Sequence, residues 1–190
     1  MHGDENPGVR RGRGGGPAGL SAALTFGRGW RKVVLFDSGT RHNARAVHVH
    51  GFVPGERIFL DEFREAAGAQ MAPYDVTAVD GRAAEIERTS DGLRARTEGA
   101  FSALRANAQG TLEALVMELT ELGYVRVNDV GKTSMPGVFA AGDLTSPMQS
   151  LMMGTNAGAF SAEMMNHALG MELLLGEPME THFPQMPKPK

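Results

Sequence analysis

The chain has no cysteine, and that absence excludes disulfides, thiolate metal ligation and a dithiol relay among its 190 residues. It also lacks a strong charge of either sign. A formal net charge of -3 with 22% charged residues leaves neither a basic nucleic-acid surface nor a basic membrane-binding face to expect. No apolar run reaches transmembrane length, and Met1 to Arg13 holds no hydrophobic segment of the secretory kind. A cytoplasmic location, with no nucleic-acid or membrane partner, is therefore the expectation. Glycine is abundant, at 25 residues, beside a 42% hydrophobic share. That length and composition suit one globular domain with a real core.

Gly14 to Gly19 lead into an alanine- and leucine-rich stretch, Leu20 to Phe26, which reads as a helix starting at a glycine turn and ending near Gly27 or Gly29. Lys32 to Asp37 is a short apolar run stopping at Ser38-Gly39, as a buried parallel strand would. A polar loop containing Asn43, His48 and His50 precedes a helix expected over Asp61 to Met71. Three alternating runs follow, Tyr74 to Asp80, Ala83 to Arg88 and Leu93 to Thr97, and read as a small antiparallel piece with a hairpin turn at Ser90-Asp91-Gly92. Small residues and weak periodicity mark residues 98–110 as a seam. Leu112, Leu115, Val116, Leu119 and Leu122 then fall at helical spacing. Tyr124 to Val127 reads as a strand, Asn128 to Gly131 as a turn, Gly137 to Asp143 as a buried strand, and Ser150 to Leu169 as a final helix. Residues 177–190, rich in proline, read as a flexible tail.

Gly14, Gly16 and Gly19 fit the pattern G-x-G-x-x-G. The first glycine permits a tight turn, the second lets a pyrophosphate approach the backbone, and the third lets helix and strand pack closely. The helix N-terminus beyond them offers free N–H groups and the positive end of a dipole to an anion. Asp37 closes the next strand about 20 residues on, where a carboxylate bonds ribose hydroxyls. In Thr133-Ser134-Met135-Pro136-Gly137-Val138-Phe139-Ala140-Ala141-Gly142-Asp143, a strand delivers one carboxylate to a sheet edge. Gly142 leaves room for a ligand beside it, and the helix from Ser150 aims its amides at the same place.

These two ordered motifs resemble the FAD signatures of thioredoxin reductases and their relatives, in the class II pyridine nucleotide-disulfide oxidoreductase group. Asp37-Ser38-Gly39 and His48 to Phe52 resemble its cysteine-free branch. The resemblance implies an α/β fold: a Rossmann-like FAD-binding domain, three-layered with a mainly parallel sheet and a small antiparallel piece. It would span residues 1–176 and be built from halves at about 14–100 and 112–170. By the same resemblance Gly14, Gly15, Gly16, Pro17, Ala18 and Gly19 hold the pyrophosphate, Asp37 the adenosine ribose and Asp143 the ribityl chain, with Ser38 and Gly142 also among the cofactor-binding residues. Gln149 and Ser150 lie at the pyrimidine end of the flavin, with Asn43 and His50 near the ring. FAD is the implied cofactor and a homodimer the implied assembly; catalytic residues, electron donor and acceptor are left unassigned.

The chain departs from that family in two ways. Relatives insert an NADPH-binding domain between the two halves, and no second glycine fingerprint occurs here. An oxidoreductase with an external electron donor is therefore expected, against the alternative of a truncated, non-catalytic nucleotide-binding or dimerisation module. Relatives also place an apolar strand before the glycines, where this chain reads Val9-Arg10-Arg11-Gly12-Arg13. Arginines buried unpaired in a central strand are strongly destabilising, so the strand is malformed or the start of the chain is not native. His48 and His50 lack an acidic or cysteine partner for a metal, so no metal site is expected. Met148, Met152, Met153, Met164 and Met165 read as core or interface packing rather than a pocket lining. Replacing Val9 to Arg13 by Val-Val-Val-Ile-Gly is expected to raise the melting temperature by restoring a buried strand. An unchanged or lower value in a thermal melt places the segment outside the sheet.

Overall fold

The computed structural model describes residues 15–37, 48–53, 55–81, 85–89, 92–97, 100–104, 117–148 and 150–176. In chain order the elements are α1 (Pro17–Arg28), β1 (Val33–Asp37), α2 (Leu60–Met71), β2 (Val76–Asp80), β3 (Glu85–Thr89), β4 (Gly92–Thr97), β5 (Ala100–Leu104), a 3-10 turn (Gly142–Leu144) and α3 (Leu151–Leu175). β1 and β2 pair in parallel from Val33 opposite Val76 to Asp37 opposite Asp80, with α2 as the crossover between them. β3, β4 and β5 form a separate antiparallel sheet.

Local chemistry explains the helix boundaries. Pro17 occupies the first turn of α1, where its missing N–H has no helical partner to lose. Asp61 and Glu62 place negative charge in the first turn of α2, and Glu62 accepts the Phe59 amide at 3.2 Å. The Ser150 hydroxyl caps α3 by accepting the Met153 N–H at 3.1 Å. Gly176, at φ 70°, ends the same helix in the left-handed conformation that glycine adopts without steric cost.

The core lies on both sides of α1. On one side Leu20 and Ala23 pack with Met71 and Val76, flanked by Leu24, Val33, Leu35 and Phe63. On the other, Phe26 packs against Phe139, Met165 and Ala168. α3 meets α1 at very short range: a Cβ at Gly158 would overlap the Ala18 carbonyl, and one at Gly154 would lie 3.5 Å from Pro17 Cβ. Farther along, Asn166 accepts from Arg31 Nε at 3.2 Å and donates to the Thr25 carbonyl at 3.4 Å. Contacts that advance in step along both helices show that α1 and α3 run parallel, N-terminus beside N-terminus.

The expected α/β architecture stands, with several local corrections. The run from Tyr74 does not belong to the antiparallel piece; β2 joins the parallel sheet, because α2 returns the chain beside β1. The seam at 98–110 contains β5, the third strand of the antiparallel sheet, paired from Leu93 opposite Leu104 to Thr97 opposite Ala100. Leu119 and Leu122 are not helical. Gly123, at φ 83°, turns the chain so that Thr120 N bonds Tyr124 O at 2.7 Å and Arg126 N bonds Glu118 O at 2.9 Å, leaving both leucines exposed. Tyr124 to Val127 forms no strand, only a bridge from Val125 to Leu119. Val138 to Ala141 are buried as expected, but the segment is no sheet strand: Phe139 bridges Lys132, and Gly142 and Asp143 enter the 3-10 turn. The turn expected at Asn128 to Gly131 forms, with the Asn128 side chain accepting the Lys132 amide at 2.9 Å. α3 continues six residues past the expected Leu169. The Val9 to Arg13 segment, Leu112 to Val116 and the tail lie outside the described residues.

Gly158→Ala drives a methyl group into the Ala18 backbone, which cannot rotate away. The expected cost is about 3 kcal/mol, lowering the melting temperature by roughly 6–12 °C. Gly170 of the same helix faces open space, so Gly170→Ala serves as the control. It is expected to stabilise by about 1 kcal/mol through helix propensity alone. Equal effects at the two positions in a calorimetric melt would remove the close crossing as the cause.

Candidate functional site

The site is built where the glycine turn, the end of β1 and the start of α3 meet. Gly16 is the N-cap of α1 with φ -66° and ψ 173°, and no side chain caps the helix from this position. The first turn of α1 holds no acidic residue, and neither does that of α3. Gly154, in the first turn of α3, approaches the Ala18 amide nitrogen to within 3.7 Å of where its Cβ would be. Two positive helix ends therefore converge with no carboxylate in either first turn to balance them. Like dipole ends held side by side repel, and an anion near both relieves that repulsion. The arrangement fits a diphosphate.

Asp37 lies at the C-terminal end of β1, where its carbonyl accepts the Gly81 amide at 2.7 Å. Its carboxylate is buried beside an equally buried guanidinium: Arg64 Nη2 of α2 donates to Asp37 Oδ2 at 3.1 Å and to the Gly15 carbonyl at 3.3 Å. The structure thus brings Gly15, Gly16, Pro17, Ala18 and Asp37 into one neighbourhood. The 3-10 turn carrying Gly142 and Asp143 packs against α3. Asp143 is exposed, and Gly142, at φ 82°, takes the conformation that lets the turn form, its carbonyl accepting from Thr145 N at 3.0 Å. Ser150 is placed at the head of α3, but its hydroxyl is committed to the cap. Gly14, Ser38, Asn43 and Gln149 lie outside the described residues.

His50 lies on the loop before α2, where His48 stacks on Phe59 with ring centroids 4.6 Å apart. Its Nδ1 is 3.0 Å from Glu56 Oε1, while Glu56 Oε2 accepts the Gly51 amide at 2.7 Å. The contacts of His50 and Glu56 thus close within their own loop. Hydrogen bonding from His50, and then from the Gly51 amide, holds the Glu56 carboxyl below the usual glutamate range. A lowered carboxyl contributes above its unfolded pKa, and the contribution is lost as acid titrates it. His50→Ala is expected to move the Glu56 titration midpoint upward in a carbon-detected NMR pH series. An unmoved midpoint would leave the Gly51 amide as the main cause.

Three contributors, Gly154, Gly158 and Arg64, lie outside both sequence motifs. Gly154 and Gly158 had a visible signal, small residues four apart on one helical face and followed by Ala162 at the same interval. Arg64 had none, because nothing in its spacing links it to Asp37. Among the described residues, no group of three or more histidines, aspartates or glutamates could hold a metal ion. No described helix is long and apolar enough to cross a membrane.

Comparison with known proteins places this geometry. The chain is 36% identical over 76 residues to a probable thioredoxin reductase of Arthroderma benhamiae, covering 40% of this chain and 19% of that one. It is 45% identical over 64 residues to a thioredoxin reductase of Claviceps purpurea, covering 33% and 20%. The chain spans about a fifth of the length of these curated relatives. Its fold resembles the crystal structure of an oxidoreductase from Agrobacterium tumefaciens, with a TM-score of 0.71 at 15% identity, covering 88% of this chain and 100% of that one. The pyridine nucleotide-disulphide oxidoreductase model matches residues 61–161, more than half of the chain. With the glycine turn, the acid-ended strand and the paired helix N-termini already in place, the chain belongs to the pyridine nucleotide-disulphide oxidoreductase family and is thioredoxin-reductase-like.

Proposed function

We propose that this chain is a minimal flavin domain that performs redox chemistry with electrons delivered from outside it. Its cofactor is FAD, the group expected from the two signatures and from the family. The observation that carries the reading is the parallel pairing of α1 and α3, which leaves two helix N-termini converging without a carboxylate in either first turn. Gly15, Gly16, Pro17 and Ala18, with Gly14 and Gly19, hold the pyrophosphate. Asp37, with Ser38, takes the adenosine ribose; Gly142 and Asp143 lie along the ribityl chain. The head of α3, with Gln149 and Ser150, faces the pyrimidine edge, where a helix N-terminus favours negative charge. Asn43 and His50 flank the ring. When bound, the isoalloxazine supplies the redox chemistry, and the chain's residues bind and orient it.

The external donor follows from what joins the halves. Only residues 105–116 lie between β5 and the segment from Met117, and no second glycine fingerprint occurs in the sequence. Holding a nicotinamide against a flavin ring removes about 7–11 kcal/mol of barrier through orientation, and these residues provide no second dinucleotide fingerprint to do it. The exposed Met152, Met153 and Phe160 of α3 offer an apolar face for a homodimer. A cytoplasmic location is part of the same reading.

Purified protein is expected to carry or take up FAD, visible in its absorption spectrum. Anaerobic stopped-flow mixing is expected to show reduction by dithionite, but only very slow reduction by NADPH or NADH. Rapid, saturable bleaching by NADPH would place a nicotinamide site in this chain. A folded protein that takes up no FAD would favour the non-catalytic alternative.

A further inference from the structure

Arg64 is a buried cation outside both signatures, yet it touches the glycine turn and the strand-end acid at once. One nitrogen of its guanidinium donates to Asp37 Oδ2 at 3.1 Å and to the Gly15 carbonyl at 3.3 Å. Its side chain is 8% exposed and that of Asp37 is 9% exposed. Asp37 Oδ2 and the Gly15 carbonyl therefore stand within two hydrogen-bond lengths of each other, their separation set by a side chain from α2. Removing either member of a buried ion pair leaves the other charge uncompensated, so the two are kept together.

We propose that Arg64 is a positioning residue for the adenosine ribose, fixing the Asp37 carboxylate at a set distance from the diphosphate turn. The inference rests on the FAD reading above. A carboxylate has about four acceptor sites, so a guanidinium donor and a ribose hydroxyl can share it. The guanidinium is planar and always charged, and it fixes the direction of that carboxylate in a way a mobile ammonium does not. Its second bond draws on the Gly15 carbonyl, whose negative end otherwise opposes a diphosphate at the same turn. Arg64 thus couples the two halves of a dinucleotide's recognition, ribose and diphosphate, before either is bound.

The test measures ribose recognition rather than overall affinity. ADP and 2′-deoxy-ADP compete against FAD on the full-length protein, with release read by flavin fluorescence. Wild-type protein is expected to prefer ADP by about ten-fold, the value of one hydrogen bond to a charged group. Arg64→Met is expected to bring that preference close to one, and Asp37→Asn to do the same. The double variant should show no further loss. Arg64→Lys keeps the charge but replaces the planar, fixed guanidinium by a mobile ammonium, so it guards against a misfolded Met variant and is expected to lose most of the preference.

A ten-fold preference that survives in Arg64→Met or Arg64→Lys, with both nucleotides weakened equally, would make Arg64 merely structural and overturn the proposal. Equal binding of ADP and 2′-deoxy-ADP by wild-type protein that still holds FAD would also overturn it, leaving the cofactor reading intact. Wild-type protein that binds neither FAD nor ADP would overturn both.

Discussion

The contact on which the rest depends is the crossing of α3 over the first turn of α1. Gly158 lies directly against the Ala18 backbone, and Gly154 lies against the Pro17 ring and the Ala18 amide. An approach that close brings many atoms into dispersion contact and shuts out water, but it tolerates nothing larger than hydrogen at Gly158. It is also the joint between segments far apart in sequence, since residues 17–28 and 151–175 enclose the sheets and loops between them. Because the helices run parallel, the joint brings two N-termini together. Packing and electrostatics are in conflict at that point. Apolar burial along Phe26, Phe139, Met165 and Ala168 holds the helices together, while their aligned dipoles oppose the arrangement. On the proposed reading, a bound diphosphate offsets that unbalanced charge.

The second constraint is the ion pair between Arg64 and Asp37. It sits at the other end of the same turn and works by a different route. The helix crossing places backbone groups, whereas the ion pair places one carboxylate and ties it to Gly15. Between them, α1 is located by α3 on one side and its leading turn by α2 on the other. Neither element alone fixes Gly15 and Gly16, and both reach the site from outside the glycine motif.

What the sequence made legible follows from range. α1, β1, α2 and the α3 start were readable because their signals are local: Pro17 at a helix start, an apolar run stopped by Asp37, helical spacing from Asp61, and Ser150 before a helix. The strand at Val76–Asp80 was visible, but its partner was not, since alternation does not distinguish a parallel neighbour brought by a helix from an antiparallel one brought by a turn. β5 was hidden because Ala100, Ser102 and Ala103 carry little strand propensity and gain their place by pairing with β4. At Leu119 and Leu122 the spacing suggested a helix, yet Gly123 and the Glu118–Arg126 backbone bond took the chain into a tight turn. Arg64 was unreadable in principle, being joined to Asp37 only through the fold.

The distribution of burial gives the site a direction. On the proposed reading, the nucleotide end is gripped by groups withdrawn from water: the Asp37 and Arg64 side chains and Ala18 are all nearly inaccessible. The flavin end is bounded by groups left in the open, among them Asp143 and Met148. Buried charge pairs resist rearrangement because each partner alone is costly, whereas exposed methionines adapt to whatever packs on them. A rigid grip at one end and a yielding apolar surface at the other is the division expected where a tightly held cofactor must exchange electrons with a separate partner. Specificity for the cofactor then resides in α1, β1 and α2. On the same reading the encounter with donor or acceptor falls to the head of α3, and the Gly158 crossing keeps the two in register.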